Sequence, residues 1–372
     1  MTNKNSRREF LKSSTKFIGG LAVLGGTGSL NEIFANATKS TATNFEIRKI
    51  GDMKVSAVGL GCVDFAPIGY YGCQNQKSDI IKLVRRAFDN GITLFDTAEI
   101  YGMTTSEEWL GEAIAPFKNQ VKVETKFGFE VAENRPGVLN SKPTHIKKAV
   151  EGSLKRLKTD HIDMLFQHRV DKNTPIEEVA DVVNSLIKEG KVLRWGLCEA
   201  SANTIRKAHA ISPISAIESE YAIWWREPET KIFPTLEELG IDFVAYSPLA
   251  RGYLTGVFNA NSKFALPDRR AVLPRFSPEA MKHNAPLLEL VQKWAKAKDV
   301  TPAQFCLVWA LSQRPYIIAI PGTTKVPHLD ELCGAKGIRM SQEEIAKFDK
   351  EYAKIDILGH RANEAIEAQI DK

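Results

Sequence analysis

Cysteine is scarce and without pattern in this chain. The five cysteines (62, 73, 198, 306 and 333) are scattered, odd in number, and include no C-x-x-C pair. Neither a disulfide framework nor a zinc module is indicated. No His, Cys and Asp residues gather at metal-ligand spacing, so no bound metal is expected. Charge of one sign is also in short supply. Lys and Arg number 50 against 45 Asp and Glu, a formal +5. Residues 1–37 alone carry five basic side chains against two acidic ones. The remainder is close to neutral, which gives nucleic acid little to bind. The apolar run from Phe17 to Leu24 is well short of the roughly 20 residues that span a bilayer, so no stable membrane span is expected. A phosphate loop is missing too. Gly25-Gly26-Thr27-Gly28 has Asn31 where a dinucleotide fingerprint needs its third glycine, and it follows no strand.

What remains is an ordinary globular composition, 43% hydrophobic and 26% charged over 372 residues. That length suits two domains or one large barrel. The front of the chain reads as an address. Ser6-Arg7-Arg8-Glu9-Phe10-Leu11-Lys12 precedes the apolar run, and Ala35-Asn36-Ala37 supplies a small-x-small cleavage site. This order resembles a twin-arginine export signal, whose S-R-R-x-F-L-K pattern is met at every defined position. The resemblance implies a leader over 1–37, a linker over 38–44, the export machinery as a partner, and a periplasmic location. Such export carries folded proteins, commonly ones already loaded with a cofactor.

From Phe45 onward, short apolar segments alternate with amphipathic ones. Residues 45–50 and 53–55 around Gly51-Asp52 predict a hairpin. Eight strands follow, at 57–61, 92–95, 121–125, 162–166, 192–197, 216–219, 241–245 and 316–320. Helices are expected between them, with further helices after Val326 and Ser341. An open doubly wound sheet needs a switch point and usually a phosphate loop after its first strand, but Cys62-Val63-Asp64-Phe65 stands there. A closed (β/α)8 TIM barrel over 45–372, capped by the N-terminal β-hairpin and ending in C-terminal helices, is the expected fold.

In such a barrel the chemistry lies at the C-terminal ends of the strands. The second strand ends in Asp96 and leads to Tyr101, the third ends near Lys126, and the fourth near His168. A phenol is normally too weak an acid to protonate a carbonyl oxygen near neutrality. An ammonium beside it, fixed by a carboxylate, is expected to make it more acidic, and an imidazole can orient the carbonyl. The assembly suits proton delivery to an oxyanion formed by hydride attack.

With these residues in place, the chain from about 45 to 355 resembles an aldo-keto reductase. Asp96, Tyr101, Lys126 and His168 match that family's catalytic tetrad. Gly190-Lys191-Val192, Tyr246-Ser247-Pro248-Leu249 and Ile320-Pro321-Gly322-Thr323-Thr324-Lys325 match in order. The resemblance implies NADP(H), with NAD(H) as the alternative, bound across the mouth without a Rossmann motif. Tyr246 is expected to stack on the nicotinamide and Ser247 and Leu249 to line the pyrophosphate channel. Thr323, Thr324 and Lys325 are expected to meet the adenosine 2′-phosphate, and Gly322, His328 and Glu331 are further expected cofactor contacts.

Several positions depart from the family pattern. Cys198-Glu199 stands where Ser-Asn or Ser-Glu usually holds the carboxamide, and Glu218 stands in place of a Gln. His328 occupies a phosphate-binding Arg position, and Leu332 an adenine-contacting Asn position. Glu199 or Glu218 near the ring favours its cationic, oxidised form, so tight retention of NADP+ is one expectation. Pairing of Glu218 with a nearby cation is the other. Tyr70-Tyr71, Trp224-Trp225 and the loop from Tyr253 to Phe276 are expected to rim the mouth, as substrate contacts or as lid packing. Cys62 and Cys73 are close enough in sequence to bridge, with free thiols as the default.

Three functions fit. The first is an oxidoreductase interconverting an aldehyde, ketone or sugar with its alcohol, Tyr101 serving as general acid and base. The second is a nicotinamide-binding regulatory module similar to potassium-channel beta subunits. The third is a non-redox lyase or epimerase.

Overall fold

The computed structural model describes residues 44–131 and 137–372. The leader over 1–37 and all of the linker except Asn44 lie outside the described residues. The predicted hairpin is present: β1 (Ile47–Ile50) pairs antiparallel with β2 (Met53–Ser56). Gly51 makes the turn at φ +61°, a conformation that disfavours a side chain. Its N–H donates to Asp242 Oδ2 at 2.7 Å.

Eight parallel strands follow: β3 (Leu60–Gly61), β4 (Leu94–Asp96), β5 (Lys122–Phe127), β6 (Met164–Gln167), β7 (Trp195–Cys198), β8 (Ala216–Glu220), β9 (Asp242–Tyr246) and β10 (Ile317–Ile320). Each pairs with the next in sequence. Bridges from Val58 to Ala319 and from Gly61 to Gly322 join the two ends, so the sheet closes on itself. Both faces are covered, which is why the strands read as continuous apolar runs such as Ile317-Ile318-Ala319-Ile320, fully buried.

Side chains alternate between the barrel interior and the surrounding helices. Leu94, Met164, Phe166, Ala216, Val244 and Ile318 fill the lower interior, and Ile50, Met53 and Val55 of the hairpin plug its floor. Arg48 ties the hairpin down through the carbonyls of Leu311 (2.7 Å), Ile317 (2.5 Å) and Arg314 (3.0 Å). Gly196 is required by this packing. A Cβ there would sit 2.0 Å from the Ala216 carbonyl oxygen and 2.7 Å from the Phe166 ring. Overpacking of a tight core costs about 1–3 kcal/mol. Gly196→Ala is expected to reach the top of that range, about 3 kcal/mol, by chemical denaturation. A loss under about 0.5 kcal/mol would mean that the strands yield there.

The outer helices are set by local signals. Thr301 and Ser341 form capping boxes with Gln304 and Glu344 at the starts of helices Pro302–Gln313 and Gln342–Tyr352. Gly240 ends helix Phe233–Leu239 in the left-handed conformation. Among the described residues no helix is long and apolar enough to cross a membrane. All five cysteines are free, so Cys62 and Cys73 do not bridge here.

One segment was not anticipated. Residues 358–371 turn back over the C-terminal ends of the strands. The Leu358 carbonyl accepts from Asn284 Nδ2 at 3.0 Å, and the Gly359 carbonyl accepts from Arg275 Nε at 2.8 Å. Asp371 accepts from Ser201 N (2.9 Å) and Ser201 Oγ (2.7 Å).

Candidate active site

A cavity of about 520 Å³ opens at the C-terminal ends of the strands, within the usual size range of small-molecule sites. Asp96, Tyr101, His168 and Glu218 form one end. Thr323, Thr324, Lys325, His328 and Glu331 form the other, with Tyr246, Ser247, Leu249 and Gly322 between them. Lys126 lies just behind the wall, with its side chain fully buried.

The lysine is the hub of the catalytic end. Its Nζ donates to Asp96 Oδ2 and to the Thr97 carbonyl at 3.0 Å, and lies 3.4 Å from Glu218 Oε2. It also sits 5.2 Å from the centre of the Tyr101 ring. Burial opposes its charge, but Asp96 and Glu218 outweigh that and raise its pKa well above the ordinary value, so it stays an ammonium. The Tyr101 and His168 rings meet edge to face at 5.6 Å. Burial, Arg169 and Lys126 all push the imidazole well below its usual pKa, so His168 is neutral. A neutral ring can donate one hydrogen bond to a carbonyl and brings no charge of its own.

The expectation that Lys126 makes Tyr101 more acidic needs correction. Lys126 acts in that direction, but burial of the phenol is the larger effect and raises its pKa well above normal. Tyr101 is therefore a firmly protonated phenol in this state. Its proton leaves only when a stronger base, such as an alkoxide, forms beside it.

The cofactor positions divide. Cys198 and Glu199 do not reach the cavity wall. Glu199 is fully buried and bound by Arg361 of the C-terminal segment, Nη1 to Oε1 at 2.7 Å and Nη2 to Oε2 at 2.5 Å. It also accepts from the Tyr246 hydroxyl at 2.8 Å and the Glu220 N–H at 2.9 Å. Burial alone would raise its pKa; the hydrogen bonds and charge of Arg361, with Arg169, lower it to about 2. Glu199 is thus neutralised by an arginine and is not a free charge facing the ring. Glu218 lines the cavity but lies against Lys126. The electrostatic reason for favouring an oxidised ring is correspondingly weaker than the sequence suggests.

Tyr246 lines the cavity with its hydroxyl fixed by Glu199. After it, Ser247 (φ 52°), Ala250 (φ 54°) and Arg251 (φ 56°) take left-handed backbone conformations. Each such residue costs on the order of 1–3 kcal/mol and persists where the surroundings over-determine the loop, often at ligand clamps. Tyr70, Tyr71, Thr255, Val257 and Phe258 line the outer mouth. Trp224 and Trp225 do not. They are buried lid packing, with Trp224 stacked on Tyr253 at 5.5 Å and Arg275 against both indoles.

Three features escaped the sequence reading. Arg361 and its neighbours Ala362, Ile366 and Ile370 line the cavity from the C-terminal segment. Arg169 lines it beside His168 and donates to the His168 carbonyl at 2.7 Å. Glu124, with Asp96 and Glu218, places three carboxylates within 4.8 Å of one another. Only the third had a readable signal: alternation on β5 puts 122, 124 and 126 on one face, so Glu124 must point inward beneath Lys126.

Comparison with solved structures places the chain among known proteins. It is similar to the glycerol dehydrogenase AKR11B4 from Gluconobacter oxydans, at 30% identity and a TM-score of 0.76, over 83% of this chain and 95% of that one. It is also similar to an aldo/keto reductase from Klebsiella pneumoniae solved with NADP and acetate, at 24% identity and a TM-score of 0.64, over 86% and 99% of the two chains. The aldo-keto reductase AKR11C1 from Bacillus halodurans aligns at 22% identity and a TM-score of 0.68, over 85% and 98%. The sequence pattern described as "Aldo/keto reductase family" matches residues 58–353, most of the barrel. On that match and the 30% relative, the chain belongs to the aldo/keto reductase family of oxidoreductases.

Proposed function

We propose that the protein interconverts a carbonyl compound and its alcohol by hydride transfer with NADP(H), and that Tyr101 is the proton donor and acceptor. The observation that carries this reading is the convergence of Asp96, Lys126, Tyr101 and His168 at one end of a cavity that runs on to Thr323, Thr324 and Lys325.

The residues present fit such a cofactor. The Tyr246 ring offers a stacking surface whose orientation Glu199 fixes. At Gly61 a Cβ would come within 3.0 Å of the Ile320 carbonyl, so the sheet approaches too closely there for a side chain at the head of the groove. Thr323 Oγ1 accepts from the Lys325 N–H at 3.2 Å, which holds the loop so that the exposed lysine borders the cavity. Tyr246 would hold the nicotinamide, which when bound in its reduced form would supply the hydride.

The chain's own residues do the rest. Neutral His168 hydrogen-bonds the substrate carbonyl and aims it towards the ring. As negative charge develops on that oxygen, the Tyr101 phenol donates its proton to it. Lys126, fixed by Asp96, stabilises the phenolate left behind. The oxidative direction is the same path reversed. The site asks only for a carbonyl–alcohol pair, and the open aromatic mouth at Tyr70 and Tyr71 suits a sugar or another polyol. The likeness to a glycerol dehydrogenase supports starting there.

We also propose that the protein is exported folded to the periplasm with its cofactor retained and recycled by a second substrate, on the strength of the Ser6–Lys12 pattern. The C-terminal segment over the cavity is consistent with retention.

Screening carbonyl and alcohol panels for NADPH oxidation or NADP+ reduction tests the activity. Turnover of at least one pair is expected; a panel inert with both cofactors contradicts it. Cofactor choice is tested by Lys325→Ala combined with Thr324→Val. A charge-assisted hydrogen bond is worth about 1.5–3 kcal/mol, so KM for NADPH should rise about tenfold or more while KM for NADH barely moves. Equal changes for both would place the 2′-phosphate elsewhere.

A further inference from the structure

Beneath the catalytic end, the barrel interior holds more acid than its base can neutralise. Asp96 and Glu124 are register partners on β4 and β5, and Glu218 approaches from β8. One oxygen from each lies within 4.8 Å of the others. Among the described residues Lys126 is the one ammonium in contact with them, and it donates its hydrogen bonds to Asp96 and the Thr97 carbonyl. Glu218 Oε2 shares that nitrogen as a looser ion-pair partner at 3.4 Å. Glu124 is completely buried, and neither of its oxygens has a hydrogen-bond partner. The side chains below and beside it in the barrel interior, Leu94, Met164, Phe166, Val244 and Ile318, are apolar and have nothing to donate.

Three buried carboxylates this close together around one ammonium cannot all be ionised; at least one must hold a proton. We propose that Glu124 and Glu218 form a proton-holding pair under the active site, and that the proton Glu218 gains or loses sets whether Lys126 faces one negative charge or two. Glu218 is thereby a positioning residue acting on Tyr101 through Lys126. With Glu218 neutral, the lysine answers to Asp96 alone and favours the phenolate that forms in reduction. With Glu218 ionised, the lysine is outnumbered and Tyr101 gives up its proton less readily.

The surrounding charges agree in direction. Burial first, then Asp96 and Glu218, push Glu124 well above the carboxylate range, with Lys126 opposing. Burial pushes Glu218 to about 8 against the pull of Lys126 and Arg169, with Asp96 adding to the rise. The other titratable neighbours stay uncharged. Cys198 on β7 and Cys62 beyond β3 are held far above the thiol range, mainly by burial, and Tyr101 above the phenol range.

The existence of the pair is independent of the carbonyl-reduction reading, but its effect on rate rests on that reading. Two measurements on the full chain separate them. Infrared difference spectra of the substrate-free protein across pH 6–10, compared in H2O and D2O, are expected to contain a protonated-carboxyl band at neutral pH that Glu124→Gln removes. A second component, lost from wild type on passing about pH 8, is expected to be absent in Glu218→Gln. No such band in wild type, or a band unchanged in both variants, overturns the proposal. The pH dependence of kcat for reduction is then expected to fall through the same region in wild type and to stay level in Glu218→Gln. A Glu218→Gln profile that keeps the wild-type fall overturns the link to Tyr101. A protein that reduces no carbonyl compound fails the functional reading alone, and the infrared result still decides the pair.

Discussion

Replacing Tyr101 with phenylalanine is expected to lower kcat/KM for carbonyl reduction by about 10²–10⁴-fold, the contribution of a positioned general acid. The ring is kept, so its edge-to-face contact with His168 and its place 5.2 Å from Lys126 survive, and cofactor affinity should change little. Steady-state kinetics together with cofactor titration check both parts. A Tyr101→Phe enzyme within tenfold of wild type would assign the proton to another group. Lys126→Met should lose a similar factor for a different reason. It leaves Asp96 and Glu218 without the ammonium they share and Tyr101 without the neighbouring charge that favours its phenolate.

Arg361→Ala should have the largest effect on structure. The Arg361–Glu199 pair is bidentate, with both side chains about 95% buried. Removing one partner of a buried pair leaves the other uncompensated and typically costs about 3–5 kcal/mol. Because Arg361 belongs to a terminal segment, the loss should appear first as release of residues 358–371, seen as faster amide exchange there, and only then as a lower melting temperature. Tyr246 loses its fixed hydroxyl partner if Glu199 rearranges, so KM for the cofactor should rise as well.

The same pair sets a pH dependence. The folded-state pKa of Glu199 lies below its unfolded value, so its contribution is complete above the ordinary carboxylate range, near 4.5, and is lost as pH falls towards about 2. Wild type should therefore keep the segment docked at pH 5 and release it in stronger acid. Arg361→Ala should show exchange in that segment at every pH.

Much of this architecture was legible because barrel strands are short apolar runs buried on both faces, and catalytic groups can lie only where those runs end. Asp96, Tyr101, Lys126 and His168 each follow directly from a strand end, and the structure brings them together. Strand lengths were less legible. The first barrel strand shrinks to Leu60–Gly61 because its remaining contacts are single bridges to the last strand. The C-terminal segment was not legible at all. Arg361 and Glu199 are 162 residues apart, and the tail's mixture of charged and small residues carries no periodicity. Nor was the net acidity of Tyr101, because the charge of Lys126 can be read from a motif while the cost of burying a phenol cannot. Glu218 was flagged as a departure, but its meaning depended on Glu124, which is visible only once the faces of β5 are assigned.

On the proposed function, this barrel holds a nicotinamide and moves hydride through it. The most direct test is mass and absorbance analysis of whatever small molecule is released on denaturing the purified full-length protein, before and after incubation with NADP+ and NADPH. NADP(H) is expected near one per chain, already bound or taken up on incubation, and converted between its oxidised and reduced forms when an alcohol or carbonyl substrate is added. A protein that releases no nicotinamide and takes up none would contradict it, whatever the geometry of Asp96, Tyr101, Lys126 and His168.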